Sequence, residues 1–451
     1  MPAALDKVFK AYDVRGIYPD QLDEELAERV GRAFVALTGA GTLAIGQDMR
    51  PSSKPMADAL AAGAMAQGAD VLRVGLCSTD MLYYVSGALD VAGVMLTASH
   101  NPARYNGLKL CRPGAVPVGE ESGLADIKRM VAAAEPVADA AERGRERQAD
   151  DLLERYAAHV RGFADRGALR PLKVVADAGN GMAGHVVPAV FAGLPFELVS
   201  MYFELDGSFP NHPADPLNPE NLRELQARVV AEGADVGLAF DGDADRVFLV
   251  DEQGATVPSS LVGALVARLM CEREPGATVL YNLICSRVVP ETIREAGGIP
   301  VRTRVGHSFI KGVMAETGAI FGCEHSGHYY FRDNYRADSG LIAALVALDA
   351  LSRAGRPLSE VLAPYRRYAS SGEVNRRVDD PGKVIGEVAG RYPADAADFA
   401  DGLTVEGGDW WFNLRPSNTE PLLRLNVEAA TEAEMARVRD EVLEAVGGEP
   451  A

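Results

Sequence analysis

Residues 235–250 read DVGLAFDGDADRVFLV, two apolar runs that enclose three aspartates and an arginine. The runs 235–240 and 247–250 have the composition of buried strands. Between them, Asp241, Asp243 and Asp245 stand at alternate positions, so their side chains converge on one side of an extended or tightly turned backbone. Each pair of carboxylates would repel by roughly 1 kcal/mol even in water. The loop therefore indicates a divalent cation, and oxygen-only ligands favour Mg²⁺ over zinc.

Two other interpretations of this loop were compared with the metal site. An aspartate-rich turn at a strand end is often only a solvated surface loop. A calcium helix-loop-helix motif has a glutamate at its twelfth position, where Glu252 stands, but it needs Gly at the sixth, where this chain has Arg246. Its flanks would also be helices, whereas these are strands. Because Arg246 places a fixed cation beside the metal, the pattern suggests a phosphorylated ligand.

The whole chain has the composition of a large globular protein. Its 451 residues suggest about three or four domains at roughly 150 residues each. A net charge of −19 disfavours a nucleic-acid partner, which requires a basic face. Five cysteines without a Cys-x-x-Cys pair argue against a disulfide framework or zinc site. With no signal peptide and no apolar run near the ~20 residues of a membrane span, we expect a soluble cytoplasmic protein with no membrane partner.

Helix and strand patterns alternate as far as about residue 367 and then change. We predict three α/β domains and a smaller C-terminal α+β domain, with limits at 1–145, 146–251, 252–367 and 368–451. The similar size of the first three suggests a duplicated architecture. Residues 132–150, rich in Ala, Glu and Arg, are expected to form a helical connection or linker, and residues 205–219 a long irregular loop.

A second polar segment, Thr97-Ala98-Ser99-His100-Asn101-Pro102, follows the predicted strand 92–96. Asn-Pro ends the extended run, which places Ser99 at the carboxyl end of a strand, where open α/β sheets bind their ligands. A turn rich in hydroxyl and amide groups is the simpler alternative. No Gly-x-Ser-x-Gly elbow is present, and adjacent side chains of a strand point to opposite faces. We therefore expect His100 to point away from Ser99, with no acyl-transfer triad.

Residues 179–184, Gly-Asn-Gly-Met-Ala-Gly, match the spacing of a dinucleotide-binding turn. They follow a predicted strand and precede a predicted helix, with Glu204 about twenty residues further on. The spacing also arises by chance in a chain with 46 glycines, and a tight strand-to-helix turn explains it equally well. A nicotinamide-dependent oxidoreductase using Gly179–Gly184 is therefore an alternative of a different class.

Three further polar segments complete the set. Residues 322–328, Gly-Cys-Glu-His-Ser-Gly-His, offer Glu324 and Ser326 for recognition of sugar hydroxyls, while two histidines three positions apart lack an obvious third metal ligand. Residues 306–311 form a basic, polar turn. Residues 415–420, Arg-Pro-Ser-Asn-Thr-Glu, join two predicted strands. Such a turn can present a guanidinium, hydroxyls and backbone N–H groups to one anion, although it is more often a plain hairpin connection.

Taken in this order, the segments resemble those of the α-D-phosphohexomutase superfamily from Tyr12 to about Val427. The resemblance is to its phosphoserine, metal, sugar and phosphate loops, at residues 97–102, 241–246, 322–328 and 415–420. Residues 11–16, Ala-Tyr-Asp-Val-Arg-Gly, match its N-terminal signature and residues 106–109 the segment after the serine. The resemblance implies three similar α/β/α mixed-sheet domains and a smaller α+β domain around a central cleft.

The same resemblance assigns roles to individual residues. It implies a phosphoserine at position 99 and Mg²⁺ bound by that phosphate and by Asp241, Asp243 and Asp245. Lys109 or His328 would transfer protons. The implied catalytic residues are Ser99, His100, Lys109, Arg246, His328 and Arg15. The implied substrate-binding residues are Tyr12, His307, Glu324, Ser326, Arg415, Ser417, Asn418 and Thr419.

The implied activity is the reversible interconversion of hexose 1-phosphates and hexose 6-phosphates through a hexose 1,6-bisphosphate, which also serves as activator. His325 favours mannose and glucose substrates, because phosphoglucosamine mutases, the alternative within the superfamily, tend to carry Gln there. The partners implied are small sugar phosphates, with a monomer or homodimer as the assembly. A metal-dependent phosphatase and a non-catalytic sugar-phosphate binder are further alternatives.

Overall fold

The first unit is a mixed sheet with helices packed against it. The computed structural model of the chain describes residues 2–133, 137–417 and 422–450. The strands of the first unit are β1 (Val14–Ile17), β2 (Thr42–Gln47), β3 (Asp70–Leu76), β4 (Ala92–Leu96), β5 (Tyr105–Arg112), β6 (Val116–Pro117) and β7 (Glu146–Gln148). Its helices are α1 (Pro2–Val8), α2 (Glu24–Thr38), α3 (Ser53–Ala66), α4 (Thr79–Leu89) and α5 (Ala125–Ala132). The strand order is β1-β5-β4-β2-β3-β7, with β6 paired to β5.

The second and third units repeat this plan on a smaller scale. The second has helices α6 (Leu152–Arg161), α7 (Ala183–Phe191) and α8 (Arg223–Glu232) and strands β8 (Leu172–Asp177), β9 (Phe196–Met201), β10 (Val236–Phe240), β11 (Val247–Asp251) and β12 (Thr256–Val257). The third has helices α9 (Ser259–Arg273), α10 (Val288–Glu295), α11 (His307–Thr317), α12 (Gly340–Ala354) and α13 (Leu358–Leu362) and strands β13 (Thr278–Asn282), β14 (Ile299–Thr303), β15 (Phe321–Cys323) and β16 (Tyr329–Phe331). The sheet orders are β12-β11-β10-β8-β9 and β14-β13-β15-β16.

The fourth unit is a separate α+β layer with its own hydrophobic core. It comprises strands β17 (Ala369–Arg377), β18 (Ala397–Asp398), β19 (Leu403–Glu406), β20 (Trp410–Pro416), β21 (Leu422–Ala429) and β22 (Glu449–Pro450) and helices α14 (Pro381–Ala389) and α15 (Glu432–Val446). The buried residues of this core all lie between Val378 and Val446. Polar contacts attach the unit to the third, since the Arg287 guanidinium donates to the Trp410 carbonyl at 3.0 Å. A small apolar cluster of Leu283, Ile284 and Trp411 lies in the same interface.

The first three units place their functional loops at the same position in the sheet. In each, one strand pairs in parallel with a neighbour and is followed by a loop and an antiparallel strand: β4 to β5, β10 to β11 and β15 to β16. These loops contain residues 97–104, 241–246 and 324–328. The predicted architecture of three similar mixed-sheet units and a smaller α+β unit is therefore confirmed, and the shared plan explains why chemistry gathers at the carboxyl ends of these strands.

One buried carboxylate joins the first three units. Asp80 of α4 is fully buried and accepts hydrogen bonds from the hydroxyl of Tyr156 in α6 at 2.6 Å and from that of Ser339, which caps α12. A continuous hydrophobic core runs through the same three units, and α12 is buried along most of its length within it. A helix that is apolar on every face belongs in such a core. None of the helices in the described residues is long and apolar enough to cross a membrane.

Two local expectations need correction. The helical connection expected at 132–150 contains the strand β7, which pairs in parallel with β3, so we propose that the first domain ends after Gln148 and not at residue 145. The polar turn expected at 306–311 is the start of α11. By contrast, residues 205–219 are irregular up to a short 3₁₀ turn that begins at Pro219, as predicted.

The junction carboxylate predicts a pH effect on stability. Burial raises the pKa of Asp80 to about 6, although its hydroxyl partners oppose this. The unfolded value is about 3.9, so this contribution to stability is present below about pH 4 and is lost as the pH rises through about 6. Relative to Asp80→Asn, which does not titrate, wild-type stability should fall by about 1 kcal/mol between pH 5 and 7. Thermal midpoints of both proteins at pH 5, 6 and 7 measure this, and a constant difference would contradict it.

Candidate active site

The three aspartates of the loop between β10 and β11 form a buried cluster. Asp241 and Asp243 are fully buried and Asp245 is 1% exposed. Carboxylate oxygens of all three lie within 4.8 Å of one another. Asp243 Oδ1 and Asp245 Oδ1 have no hydrogen-bond partner within the described residues. An arrangement of buried, unsatisfied anionic oxygens is that of a hard-cation site.

Two cations from different units balance part of this charge. Lys109 of β5 lies with its Nζ 2.7 Å from Asp243 Oδ2 and 2.6 Å from Asp245 Oδ2. Arg246 Nε donates to Asp241 Oδ2 at 2.9 Å. Burial raises the pKa of Asp241 to about 7, even though Arg246 opposes this. For Asp243 burial acts in the same sense, but the Lys109 charge prevails and lowers its pKa.

Ser99 of the first unit meets this cluster directly. Its Oγ donates to Asp241 Oδ2 at 2.7 Å and lies 3.1 Å from His100 Nδ1. The expectation that His100 points away from Ser99 is wrong. Ser99 has a left-handed φ of 51°, and the alternation of side chains holds only in extended backbone. Burial, reinforced by the Arg246 charge, keeps the pKa of His100 well below its usual value, so the ring is neutral beside the serine.

Arg15 and Arg246 bring two guanidinium groups to this part of the site. Arg246 Nη2 lies 2.5 Å from His100 Nδ1, and Arg15 Nη1 donates to Asn101 Oδ1 at 2.6 Å. Both arginines therefore contact the loop that carries Ser99. Planar guanidinium groups bind phosphoryl oxygens in a bidentate manner.

The third unit contributes a histidine held by an aspartate. His328 Nδ1 lies 2.9 Å from Asp338 Oδ2 and 4.0 Å from Asp245 Oδ1. Burial alone would lower the pKa of His328, but the Asp338 hydrogen bond and the Asp245 charge raise it. Lys311 Nζ lies 3.0 Å from the other Asp338 oxygen and 4.0 Å from the centre of the Tyr83 ring. Sequence reasoning placed Lys311 in the basic segment 306–311 without assigning it a role, and it missed Asp338, which lies in none of the recognised segments.

The turn at 324–328 is tied to its surroundings through Glu324. This carboxylate is 2% exposed and accepts hydrogen bonds from the Tyr330 hydroxyl, the Asn282 amide and the Gly306 N–H at 2.7, 3.1 and 3.1 Å. A sugar hydroxyl that donated to Glu324 would therefore use the lone pairs of this carboxylate that remain free. Ser326 is half-buried in the same turn. Burial lowers the pKa of His325 to about 3, aided by two arginines of the fourth unit.

Those two arginines are Arg415 and Arg424. Both guanidinium groups lie 3.4 Å from Glu373, and Arg424 Nη2 donates to Ser417 Oγ at 3.3 Å. Arg424 was not predicted as a site residue. It lies on β21 directly opposite Arg415 of β20, in the antiparallel pair that flanks the predicted loop. Two arginines and a hydroxyl at this position could bind an anion. Two further predicted residues, Asn418 and Thr419, lie outside the described residues.

Tyr12 lies at the boundary between the first and third units. Its ring packs edge-on against Phe309 with centroids 6.0 Å apart, and a Cβ at Gly306 would approach the Tyr12 hydroxyl to 2.8 Å. His307 begins α11 next to this contact, and its side chain lies outside what the structure describes.

The glycine-rich segment 179–184 packs against the loop between β10 and β11. A Cβ at Gly181 would lie 2.7 Å from the Gly242 carbonyl oxygen, and one at Gly184 would lie 2.2 Å from that of Phe203. The Met182 N–H also donates to the Gly242 carbonyl at 2.9 Å. Close approach to the loop between β10 and β11 explains Gly181, and close approach to the Phe203 backbone explains Gly184, without a dinucleotide.

Comparison with known proteins agrees with this geometry. Four families match in order, described as phosphoglucomutase/phosphomannomutase alpha/beta/alpha domains I, II and III and C-terminal domain, over residues 6–137, 154–254, 258–368 and 373–445. A protein of Xanthomonas campestris named "Phosphohexose mutases" is 41% identical over 96% of this chain and 97% of its own. An Escherichia coli phosphomannomutase is 38% identical over the same shares.

A solved structure extends the comparison to three dimensions. It is a phosphoglucomutase/phosphomannomutase family protein from Burkholderia thailandensis, which superimposes with a TM-score of 0.89 at 34% identity and covers 98% of this chain and 99% of its own. Fold, site and relatives define an α-D-phosphohexomutase, an enzyme that interconverts hexose phosphates. The chain belongs to the phosphoglucomutase/phosphomannomutase family. The alternative of a nicotinamide-dependent oxidoreductase is not supported.

Proposed function

We propose that the chain transfers a phosphoryl group between Ser99 and the O1 or O6 hydroxyl of mannose and glucose phosphates. A phosphorylated Ser99 and a hexose 1,6-bisphosphate would be the intermediates, and the bisphosphate would also serve as activator. The observation that carries the proposal is the 2.7 Å contact of Ser99 Oγ with Asp241. It joins the loop of the first unit to the acidic cluster of the second. The five buried thiols are compatible with the cytoplasm, where we propose the reaction takes place.

The acidic cluster fits Mg²⁺. Three buried carboxylates with two unsatisfied oxygens offer hard oxygen ligands only, and a phosphate on Ser99 would add a fourth oxygen donor. Mg²⁺ would neutralise charge on the transferring phosphoryl group. We therefore propose Asp241, Asp243, Asp245 and phosphorylated Ser99 as its ligands.

The remaining residues divide between the reacting and the bound ends of the substrate. Arg15, Arg246 and His100 surround the serine and can stabilise charge on the phosphoryl group. His328 and Lys109 have labile protons and face the cluster, so they are candidates to exchange a proton with the sugar hydroxyl. Arg415, Ser417, Asn418 and Thr419 would bind the phosphate that does not react. Glu324, Ser326, Tyr12 and His307 would hold the sugar.

One chain can process both ends of the hexose because the two phosphates exchange places. After the first transfer, the bisphosphate must turn over so that its other phosphate faces Ser99. The anion site of the fourth unit would then bind the newly formed ester. Exclusion of water from the site would limit hydrolysis of the phosphoserine.

Substitution of the serine tests the covalent route. Ser99→Ala should lower kcat by at least about 10³-fold, because the group that accepts the phosphoryl is lost. Intact mass should show one added phosphoryl group on the wild type and none on the variant. Ser359→Ala, in helix α13 and remote from the site, should retain both the wild-type kcat and the added phosphoryl group. Full turnover by Ser99→Ala would disprove the role of the serine.

Removal of single carboxylates tests the metal site. Asp243→Asn or Asp245→Asn should weaken Mg²⁺ binding at least tenfold, because a hard cation loses a charged ligand. Mg²⁺ titrations followed by the thermal midpoint report this, since a ligand that binds only the folded state stabilises it by RT ln(1 + [Mg²⁺]/Kd). Asp251→Asn, at the far end of β11, should bind Mg²⁺ as the wild type does. Equal Mg²⁺ responses in all variants would exclude these ligands.

A comparison of substrates tests the sugar preference. Mannose 1-phosphate and glucose 1-phosphate should give at least about tenfold higher kcat/KM than glucosamine 1-phosphate, because the site built around Glu324 and His325 recognises hydroxyl groups. Coupled assays with bisphosphate activator and Mg²⁺ measure the three values. A preference for glucosamine 1-phosphate would instead favour the phosphoglucosamine mutase alternative.

A further inference from the structure

Arg50 is a buried arginine that the proposed mechanism does not use. It lies in the turn between β2 and α3, and its side chain is completely inaccessible to solvent. Among the described residues, the carboxylate that it contacts is that of Asp48, whose Oδ2 lies 3.1 Å from Arg50 Nε. Burial of a charged side chain is costly unless every donor is satisfied. The other partners of Arg50 therefore indicate what it does.

All the remaining donors of the guanidinium are directed at one loop. Nη2 donates to the carbonyl oxygens of Ser99 and Asn101 at 2.9 and 2.7 Å, and Nη1 donates to those of Pro102 and Tyr105, both at 2.9 Å. Arginine has five N–H donors in a rigid planar fork. Here Asp48 and four carbonyls use all five, so the guanidinium fixes the curvature of the segment from Ser99 to Tyr105.

This anchoring coincides with backbone strain at Ser99. Its φ of 51° is sterically unfavourable for a residue other than glycine, so the surroundings must hold it. The Ser99 N–H donates to Thr97 Oγ1 at 2.9 Å, while Arg50 holds the Ser99 carbonyl. Both sides of the residue are thus fixed, and its Oγ is directed at Asp241.

The second unit closes over the same arginine. The Phe209 ring lies with its centre 5.1 Å from Arg50 Cζ, and a Cβ at Gly207 would approach Arg50 Cα to 2.5 Å. Both residues belong to the irregular loop 205–219, for which sequence reasoning found no function. Arg50 is therefore enclosed between the Ser99 loop and the unit that carries the acidic cluster.

We propose that Arg50 is a positioning residue for phosphoryl transfer, an inference that rests on the proposed role of Ser99. It holds the serine oxygen in line with the sugar hydroxyl without touching the substrate. In the transfer, the bond from phosphorus to Ser99 Oγ breaks as the hydroxyl oxygen bonds to phosphorus. The hydroxyl proton reaches the serine oxygen through the acid–base groups of the protein. In the competing hydrolysis, water takes the place of the hydroxyl and inorganic phosphate is released.

Arg50→Lys tests this role in the full-length enzyme. Lysine keeps the charge beside Asp48, but its three donors on a flexible stem cannot hold four carbonyls. We expect kcat to fall about 10- to 100-fold, because a displacement near 1 Å has effects of that size, while KM stays within about twofold. The inorganic phosphate released per sugar phosphate formed should rise, since a poorly aligned phosphoserine loses its advantage over water.

Arg273→Lys provides a matched control. Arg273 also bridges a buried carboxylate, Asp349, and a backbone carbonyl, that of Phe163, but it lies outside the site. This variant should lose thermal stability without a change in kcat or phosphate release. If Arg50→Lys keeps wild-type kcat, or loses only what Arg273→Lys loses, the positioning role is refuted.

A second variant covers the case in which Arg50→Lys does not fold. Thr97→Val removes the other anchor of Ser99 with little change in shape, and it should cause a smaller effect of the same kind. Unchanged kcat and phosphate release in Thr97→Val would then overturn the inference. Failure of the proposed function is a separate outcome, because it would appear in the wild type as turnover without a phosphoryl group on Ser99.

Discussion

Burial of three carboxylates within a few ångströms of one another is the constraint on which the arrangement of this enzyme depends. Removing an ion from water costs several kcal/mol even after relaxation, so the fold must supply cations at the same place. Lys109 comes from the first unit and Arg246 from the second, and His328 of the third approaches Asp245 to 4.0 Å. The three units cannot take up independent positions, because charge balance requires their loops to meet. The same cluster offers hard oxygen ligands that could bind a divalent cation.

The repeated topology makes this meeting possible. Each loop follows the same type of strand in its sheet, and Asp80, Tyr156 and Ser339 join the units beneath the loops. The metal loop is also enclosed by backbone, since a Cβ at Gly340 would lie 2.7 Å from the Arg246 carbonyl. Rigid support of this kind keeps catalytic groups in position before the substrate arrives.

Sequence patterns predicted most of the fold and the members of the site, but not their mutual orientation. The strands around the acidic loop were evident from their apolar runs. The strand β7 could not be found, because Glu-Arg-Gln at an exposed edge carries no apolar alternation. The ring of His100 lies beside Ser99 because Ser99 has a left-handed φ, and Arg50, far away in the sequence, donates to the Ser99 carbonyl. Asp338 lies ten positions after His328 in the sequence and is hydrogen-bonded to its ring. Such long-range contacts leave no trace in local spacing.

The fourth unit differs from the others in having a core that is not shared with them. It meets the third unit through polar contacts, among them those of Arg287 and the Val305 N–H, which donates to Asp401 at 3.1 Å, and through a small apolar cluster. Movement of this unit would break these contacts but leave its own core intact, whereas separation of the first three would expose the core that they share. Any change of access that came from the fourth unit alone would therefore leave the carboxylates and cations of the first three units together.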